Sequence, residues 1–427
     1  MPPSDPKREF AVDVVRTLAR AGFTALWAGG CVRDLLLGRP PDDYDVATSA
    51  RPEEVQKLFG PRRTLAIGAS FGVILVHGPR GSGAGDVEVA TFRTEGPYLD
   101  GRRPEHVVFA TPEEDAHRRD FTINGMFYDP IAEELKDFVG GRDDLAAKIV
   151  RAIGDPPARF REDKLRMLRA VRIAARFDFE IDPPTADAAH QMAREILVVS
   201  QERIADELKK MLVHPRRARA VGLAQELHLL TVILPELAPI CASAGRPGSE
   251  DRWQVTRATL DRLEIPRFEL ALAALLHEVT GDHAAAAKLV EQACRRLKLS
   301  NQECDDISWL VGHRAALQGA PAFRKSRLKR LLAEPLIHEL IGLESAHAHV
   351  ANESLADVEF CQHYLRTTPM HEINPPPVVN GEDLKALGIE PGPQYKEILE
   401  KVRDAQLDGV ISTREEAIEF IRRLLGQ

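Results

Sequence analysis

Strand-like and helix-like patterns are segregated along this chain, and that segregation limits the folds open to it. Short β-rich runs fall within the first 150 residues: Thr24–Ala28, a stretch around Asp43–Asp45, Gly72–His77 and Asp86–Phe92. From Pro156 onward the apolar spacing turns helical and stays so. Strands followed by helices predict an α+β protein, with a small mixed β-sheet head followed by an elongated all-helical neck, body and tail. Within the head, a helix over about Glu9–Ala21 precedes the first strand, and a second helix covers Val32–Leu37. Gly78-Pro79-Arg80-Gly81-Ser82-Gly83-Ala84-Gly85 reads as a hairpin turn, and the polar, Pro/Gly-broken residues 94–117 read as a flexible loop. The expected regions are a head over 1–150, a neck over 151–220, a body over 221–366 and a tail over 367–427. Breaks at Cys241–Asp251 and Thr367–Asn380, the latter with Pro375-Pro376-Pro377, are candidate joints.

Two motifs in the head carry chemistry. Gly29-Gly30-Cys31-Val32-Arg33-Asp34 is followed, nine residues on, by Asp43-Tyr44-Asp45. Paired glycines let backbone N–H groups approach a triphosphate without a Cβ in the way. On a strand, residues i and i+2 share a face, so Asp43 and Asp45 could grip the same Mg²⁺ ions. Such ions clamp the attacking and leaving oxygens of an in-line displacement. Glu88, in the alternating run Val87-Glu88-Val89-Ala90-Thr91-Phe92-Arg93, is the candidate third carboxylate, completing the metal site by orienting or deprotonating an attacking hydroxyl; the alternative is a strand residue facing solvent.

Composition narrows the setting. The 427 residues allow two to four domains. Cys31, Cys241, Cys294, Cys304 and Cys361 are odd in number and lack CxxC spacing, which argues for a reducing cytosol and against disulfides or structural zinc. The polar start, Met1 to Phe10, is not a signal peptide, and no apolar run approaches a membrane span. A net charge of −8 looks wrong for a protein of RNA, but the cations are clustered. Residues 151–176 carry eight Lys/Arg, Arg203 to Arg219 carry six, and Arg324-Lys325-Ser326-Arg327-Leu328-Lys329-Arg330 forms a third group. Basic patches on an acidic body suit docking of one folded RNA.

Arg118-Arg119-Asp120-Phe121-Thr122-Ile123-Asn124 offers guanidinium forks for phosphate and, in Asp120, an acceptor for a ribose 2′-hydroxyl. Arg159–Arg172 reads as one helix, with Arg166, Arg169, Arg172 and Arg176 spaced by three, three and four. Met167, Ala170, Val171 and Ala174 form the opposite, apolar stripe. Asp163 with Arg166 as an i,i+3 surface ion pair would be the structural reading; four aligned arginines point instead to an anion nearby.

These motifs together resemble those of the polymerase-β-like nucleotidyltransferases, in particular class II tRNA CCA-adding enzymes and bacterial poly(A) polymerases. The resemblance implies that Asp43 and Asp45 bind the catalytic Mg²⁺ and that Gly29, Gly30 and Arg33 contact the triphosphate, with Arg119, Asp120 and Asn124 also nucleotide-binding. It further implies that Asp163 and Arg166, in an E-D-x-x-R motif, read the base, while Arg169 and Arg172 add positive charge. Cytosine and adenine each present an amino donor beside a ring-nitrogen acceptor. A carboxylate beside a guanidinium complements both, so CTP and ATP would be selected without a template. Gly125 departs from the family, which usually has alanine there.

Farther on, Arg203 lies in a segment read as a buttressing helix. Residues 253–314 look like an eroded HD-type domain: His277-Glu278 replaces His-Asp, His313 falls where a later ligand would, and Trp253-Gln254-Val255-Thr256 lacks a histidine. A two-metal hydrolase is therefore disfavoured. Asn380–Pro393 and Ala405–Ile411 are similar to the C-terminal segment of bacterial CCA-adding enzymes and imply a grip on the tRNA elbow. The reading is a cytoplasmic enzyme, monomer or homodimer, that adds CCA to tRNA 3′ ends from CTP and ATP, with Mg²⁺ and no membrane. Alternatives are a poly(A) polymerase, a CC-only or A-only enzyme, or an inactive RNA-binding protein. Asp100-Gly101-Arg102 is the candidate for switching from C to A.

Overall fold

The computed structural model describes residues 5–68, 72–95, 107–242, 251–264 and 266–426. It comprises two compact units, residues 1–235 and 236–427. In the first unit, α1 (Pro6–Arg20) is capped by Asp5, whose carboxylate accepts from the N–H groups of Lys7 and Arg8. It buries Phe10, Val14, Val15 and Leu18, the spacing of one helical face. There follow β1 (Ala25–Ala28), α2 (Gly30–Leu36), β2 (Asp45–Thr48), α3 (Pro52–Phe59), β3 (Thr64–Gly68), β4 (Val73–His77) and β5 (Asp86–Thr91). The hairpin turn forms as expected: the Gly78 N–H donates to the Gly85 carbonyl at 2.9 Å, and Gly81, Gly83 and Gly85 all adopt positive φ.

The stretch expected to be a loop over 94–117 is ordered at both ends. Strands β6 (Arg93–Glu95) and β7 (Val107–Phe109) pair, and α4 (Pro112–His117) opens on a capping box between Thr111 and Glu114. Asp115 explains the order, because its buried carboxylate accepts from the Arg93 N–H, Arg118 and Arg119. Asp100-Gly101-Arg102 lies outside the described residues.

A 3₁₀ turn (Thr122–Asn124), β8 (Phe127–Asp129), β9 (Glu134–Lys136) and α5 (Gly141–Ala147) complete the head. Seven strands form one sheet in the order β3-β4-β5-β2-β1-β8-β9. Within it β2 and β5 run parallel and the other pairs antiparallel. Trp27, Val46, Val87 and Val89 pack with α1 in one core, while Leu26, Ala28, Ala47, Phe92 and Phe127 pack in another. Gly125 has a local reason: a Cβ there would sit 2.7 Å from Val139 Cγ2 and 3.0 Å from Ile153 Cδ1.

Beyond the head, β10 (Ile149–Val150) pairs with β11 (Glu180–Ile181), between which come α6 (Pro156–Glu162) and α7 (Leu165–Phe177). The single helix expected over Arg159–Arg172 is thus two. Asp163 breaks it in extended geometry (φ −144°, ψ 105°), and its carboxylate accepts from the N–H of Leu165, the first residue of α7, at 3.1 Å. Then come α8 (Pro183–Gln191), α9 (Gln201–Leu212) and α10 (Arg217–Glu226).

The second unit is helical among its described residues, and residues 378–421 contribute a separate apolar cluster around Leu384, Val402 and Ile421. Part of its basic run faces its own chain: Arg330 meets Asp404 at 2.8 Å and Glu400 at 2.7 Å, and Arg324 meets Asp408. Among the described residues no helix is long and apolar enough to cross a membrane.

Candidate active site

Between β1 and α2 the backbone turns through Gly29, at φ 74° and ψ −129°, a region that favours glycine. A Cβ at Gly29 would lie 3.1 Å from Arg119 Nη1, so the bare backbone also admits that guanidinium. Gly30 begins α2 and brings Arg33 over the ring of Phe177, 4.3 Å from its centroid.

Carboxylates gather at the start of β2. Asp45 is its first residue, and Asp43 lies two residues before the strand, exposed, rather than on it as the sequence pattern suggested. The parallel register pairs Val46 with Val89, which sets Asp45 level with Glu88 one step earlier on each strand. Burial, then the charges of Asp43 and Glu88, push the Asp45 carboxyl up to about 7, against the pull of Arg119. The neighbouring Cys31 thiol is pushed up to about 12, by burial first and Asp45 next. Three acids of which one resists ionisation are a donor set short of positive charge, and a hard divalent cation with oxygen ligands fits it.

Arginines form the opposing wall. Arg33 donates to Asp34 (2.8 Å) and to Asn124 Oδ1 (2.7 Å), and Asn124 Nδ2 in turn donates to Asp120 (3.1 Å). Arg119 donates to Asp115 through Nε and Nη2 and lies over Phe127. Asp120 meets Arg169 at 2.7 Å. Its burial would raise the carboxyl, yet Arg169, Asn124 and Arg166 hold it below the usual range. Arg166 donates to Glu162 (2.6 Å) and to the carbonyls of Arg159 and Arg118. Arg172 meets Glu207 at 2.6 Å, and Arg176 meets Asp42 at 3.3 Å. The aligned arginines of α7 are therefore each matched by a carboxylate, which offsets the repulsion that their spacing alone implied.

These groups enclose a cavity of about 460 Å³. Gly29, Gly30, Arg33, Asp45, Arg119, Asp120, Asn124, Asp163, Arg166, Arg169 and Arg172 all line it, while Asp43 and Glu88 do not. Asp163 and Arg166 are not paired with each other: Arg203 takes Asp163 at 2.7 Å. Arg93, Arg118 and Phe177 also line the cavity. Arg118 was legible in its motif, whereas nothing marked Phe177 beyond an aromatic at the end of a helix.

In the second unit, His277 is fully buried and bonded to His347 at 3.0 Å, with Glu278 beside them. His313 is elsewhere, stacked on Trp309. Arg252 engages Glu278 at 3.2 Å, and Arg314, 3.8 Å from Glu278, also meets Glu344 at 3.0 Å. Guanidinium groups thus already meet the charge of these carboxylates.

Residues 25–151 match the model of the poly(A) polymerase head domain, so fold and pocket together define a nucleotidyltransferase. Residues 178–241 match a "probable RNA and SrmB-binding site of polymerase A", and 264–421 a putative second domain of tRNA nucleotidyltransferases. A CCA-adding enzyme of Streptococcus suis is 32% identical over 419 residues, covering 97% of this chain and 96% of its own. One from Geobacillus stearothermophilus is 42% identical over 235 residues, 55% of this chain and 56% of its own. The Bacillus stearothermophilus CCA-adding enzyme in complex with CTP superposes with a TM-score of 0.77 at 28% identity, covering 99% of this chain and all of that one. The Thermotoga maritima enzyme complexed with tRNA, at 22% identity and TM-score 0.63, shares the fold over 99% of this chain and 96% of its own. The chain belongs to the family of class II CCA-adding enzymes and bacterial poly(A) polymerases. Nucleotidyltransferases of this family work with a divalent metal.

Proposed function

We propose that this enzyme builds and repairs the 3′-terminal CCA of tRNA from CTP and ATP, releasing pyrophosphate. The observation that carries the reading is the pocket itself, with Asp45 at one edge and eight arginines around the rest, in a chain matched over nearly its whole length by CCA-adding enzymes. The RNA 3′-hydroxyl attacks the α-phosphorus of the nucleotide, forming a new P–O bond as the bond to pyrophosphate breaks. Arg33 and Arg119, beside the open backbone of Gly29 and Gly30, hold the triphosphate by charge-assisted contacts. Asp43, Asp45 and Glu88 would hold Mg²⁺, which when bound supplies positive charge at the reacting oxygens.

Base choice falls to Asp163 and Arg166. Arg203 and the Leu165 N–H fix the Asp163 carboxylate, and Glu162 with two carbonyls fixes Arg166. Two independently anchored groups present an acceptor and donors without neutralising each other, which suits the edge shared by cytosine and adenine. Asp120 is the acceptor for a ribose hydroxyl, and Arg169 and Arg172 extend the positive wall. The tail over 367–427 holds the tRNA elbow. A reducing, cytoplasmic setting agrees with five free, buried cysteines.

The test supplies tRNA transcripts ending before CCA, after C and after CC, with each nucleotide singly and together, beside an mRNA-like oligonucleotide. Addition that stops at CCA on tRNA alone is expected. Long A tracts on both RNAs would make it a poly(A) polymerase, and no incorporation would overturn the enzyme reading.

A further inference from the structure

Beside the nucleotide pocket, within the same unit, lies a second cavity of about 360 Å³. Arg172 and Arg176 line both, so the two share a wall. Lys210 and Arg216 add to the second cavity's cations, while Ala175, Met211 and Val213 give it an apolar floor. Val213, 45% exposed, puts apolar surface at the groove's mouth within reach of a ligand. Cations around an apolar floor suit a nucleic-acid residue, with phosphates at the rim and base or ribose below.

The partners of these cations decide what a ligand can displace. Arg176 pairs with Asp42 and Arg216 with Asp178, acids whose side chains are 83% and 50% exposed. Exposed pairs of this kind hold weakly, whereas a guanidinium on a phosphate makes a charge-assisted, forked contact. Lys210 (3.5 Å) and Arg172 (2.6 Å) share the carboxylate of Glu207, two cations on one acid. His214, also in the lining, registers the same field: burial first, then Arg176, Arg216, Arg217 and Arg39, push its imidazole below the ordinary value.

The geometry points to this groove as the seat of the last nucleotide of the RNA acceptor strand, held beside the incoming nucleotide by Lys210, Val213 and Arg216. The inference rests on the nucleotidyl-transfer reading above. A second nucleoside triphosphate fits less well, because the rim lacks the glycine-lined backbone that admits the first. Arg176 also ties the groove to the acid edge, since Asp42 adjoins Asp43 in sequence. The match of residues 178–241 to an RNA-binding region assigns no residue and no nucleotide to it.

Full-length Lys210→Glu and Val213→Asp variants test the inference, both changes falling on side chains open to solvent. With a tRNA transcript ending before CCA, each variant should raise KM for RNA about tenfold or more while KM for CTP moves less than about twofold. Lys210→Glu should also flatten the salt dependence of RNA binding by about one unit of slope. A 4-thiouridine at the last position before CCA should crosslink to residues 209–217. An unchanged KM for RNA, or a crosslink confined to another segment, overturns the groove assignment even if the wild type adds CCA normally. If the wild type transfers nothing, the enzyme reading fails, and RNA binding and the crosslink still decide the groove.

Discussion

The two sides of the nucleotide pocket treat their acids in opposite ways. At the start of β2, Asp45 sits among acids and its carboxyl is pushed up to about 7. Across the cavity, Asp120 is more deeply buried but sits among cations, which hold its carboxyl below the usual range. Burial alone therefore does not set the charge of an acid here; its neighbours do. On the proposal above, the first edge is where a divalent cation would bind. The second is complete without a ligand and works by keeping its arginines in place.

The sharpest break of this contrast is Asp45→Asn. Removing a ligand from the acid edge should lower kcat by roughly a thousandfold, since several kcal/mol of charge stabilisation are involved at about 1.4 kcal/mol per tenfold. Single-turnover CTP incorporation measures it, and retention of more than a tenth of the activity would remove Asp45 from the site. Next comes the far wall. Asp163→Ala should relax discrimination against UTP and GTP by roughly 10- to 100-fold, in line with about 1–3 kcal/mol per base contact. Arg203→Ala should move selectivity the same way but less, because it frees Asp163 without deleting it. Competition assays with all four nucleotides would show this, and unchanged selectivity in Asp163→Ala would refute the base-reading role.

Stability should then separate the two sides by pH. Asp45 binds a proton more tightly folded than unfolded, so in metal-free protein its contribution is present below about pH 4, its unfolded value, and is lost as pH rises towards about 7. Asp45→Asn should consequently raise the melting temperature at pH 8 and leave it nearly unchanged near pH 4. Asp120 has the reverse sign: its contribution is present above the ordinary carboxylate range and is lost on acidification. Melting curves from about pH 2 to 8 in EDTA compare the two, the Asp120 loss falling below about pH 4, and a pH-independent effect of Asp45→Asn would contradict the assignment. The smallest effect concerns Arg169→Ala, which strands a buried Asp120. Because Arg169 is 40% exposed, the loss should be about 1–3 kcal/mol in urea, below the range for a fully buried pair. Adding Asp120→Asn should recover part of it.

Much of this was legible in order along the chain. The glycine pair, the Asp-x-Asp and the arginine-rich motifs are local patterns, and nearly all their residues meet in one cavity. What stayed hidden depended on contacts far apart in sequence. Nothing near Asp163 announces Arg203, 40 residues away, and no periodicity reveals that each arginine of α7 faces a carboxylate from another element. The break at Asp163 was concealed because the apolar spacing continues through it, while the break itself is a single residue in extended geometry. Residues 94–117 looked loop-like by composition, although one buried acid, Asp115, organises their end. His347 escaped notice for the same reason of distance, 70 residues beyond His277.

The parallel pairing of β2 with β5 has a consequence for how errors in folding are filtered. Val87 and Val89 enter the core, while Glu88 between them points the other way, beside Asp45. A slip of one residue would bury Glu88 and expose both valines. The alignment that brings the acids together is therefore the same one that makes the sheet stable. A misregistered head would not survive as a folded but idle enzyme; it would be removed as an unstable one, so quality control of the fold doubles as quality control of the chemistry.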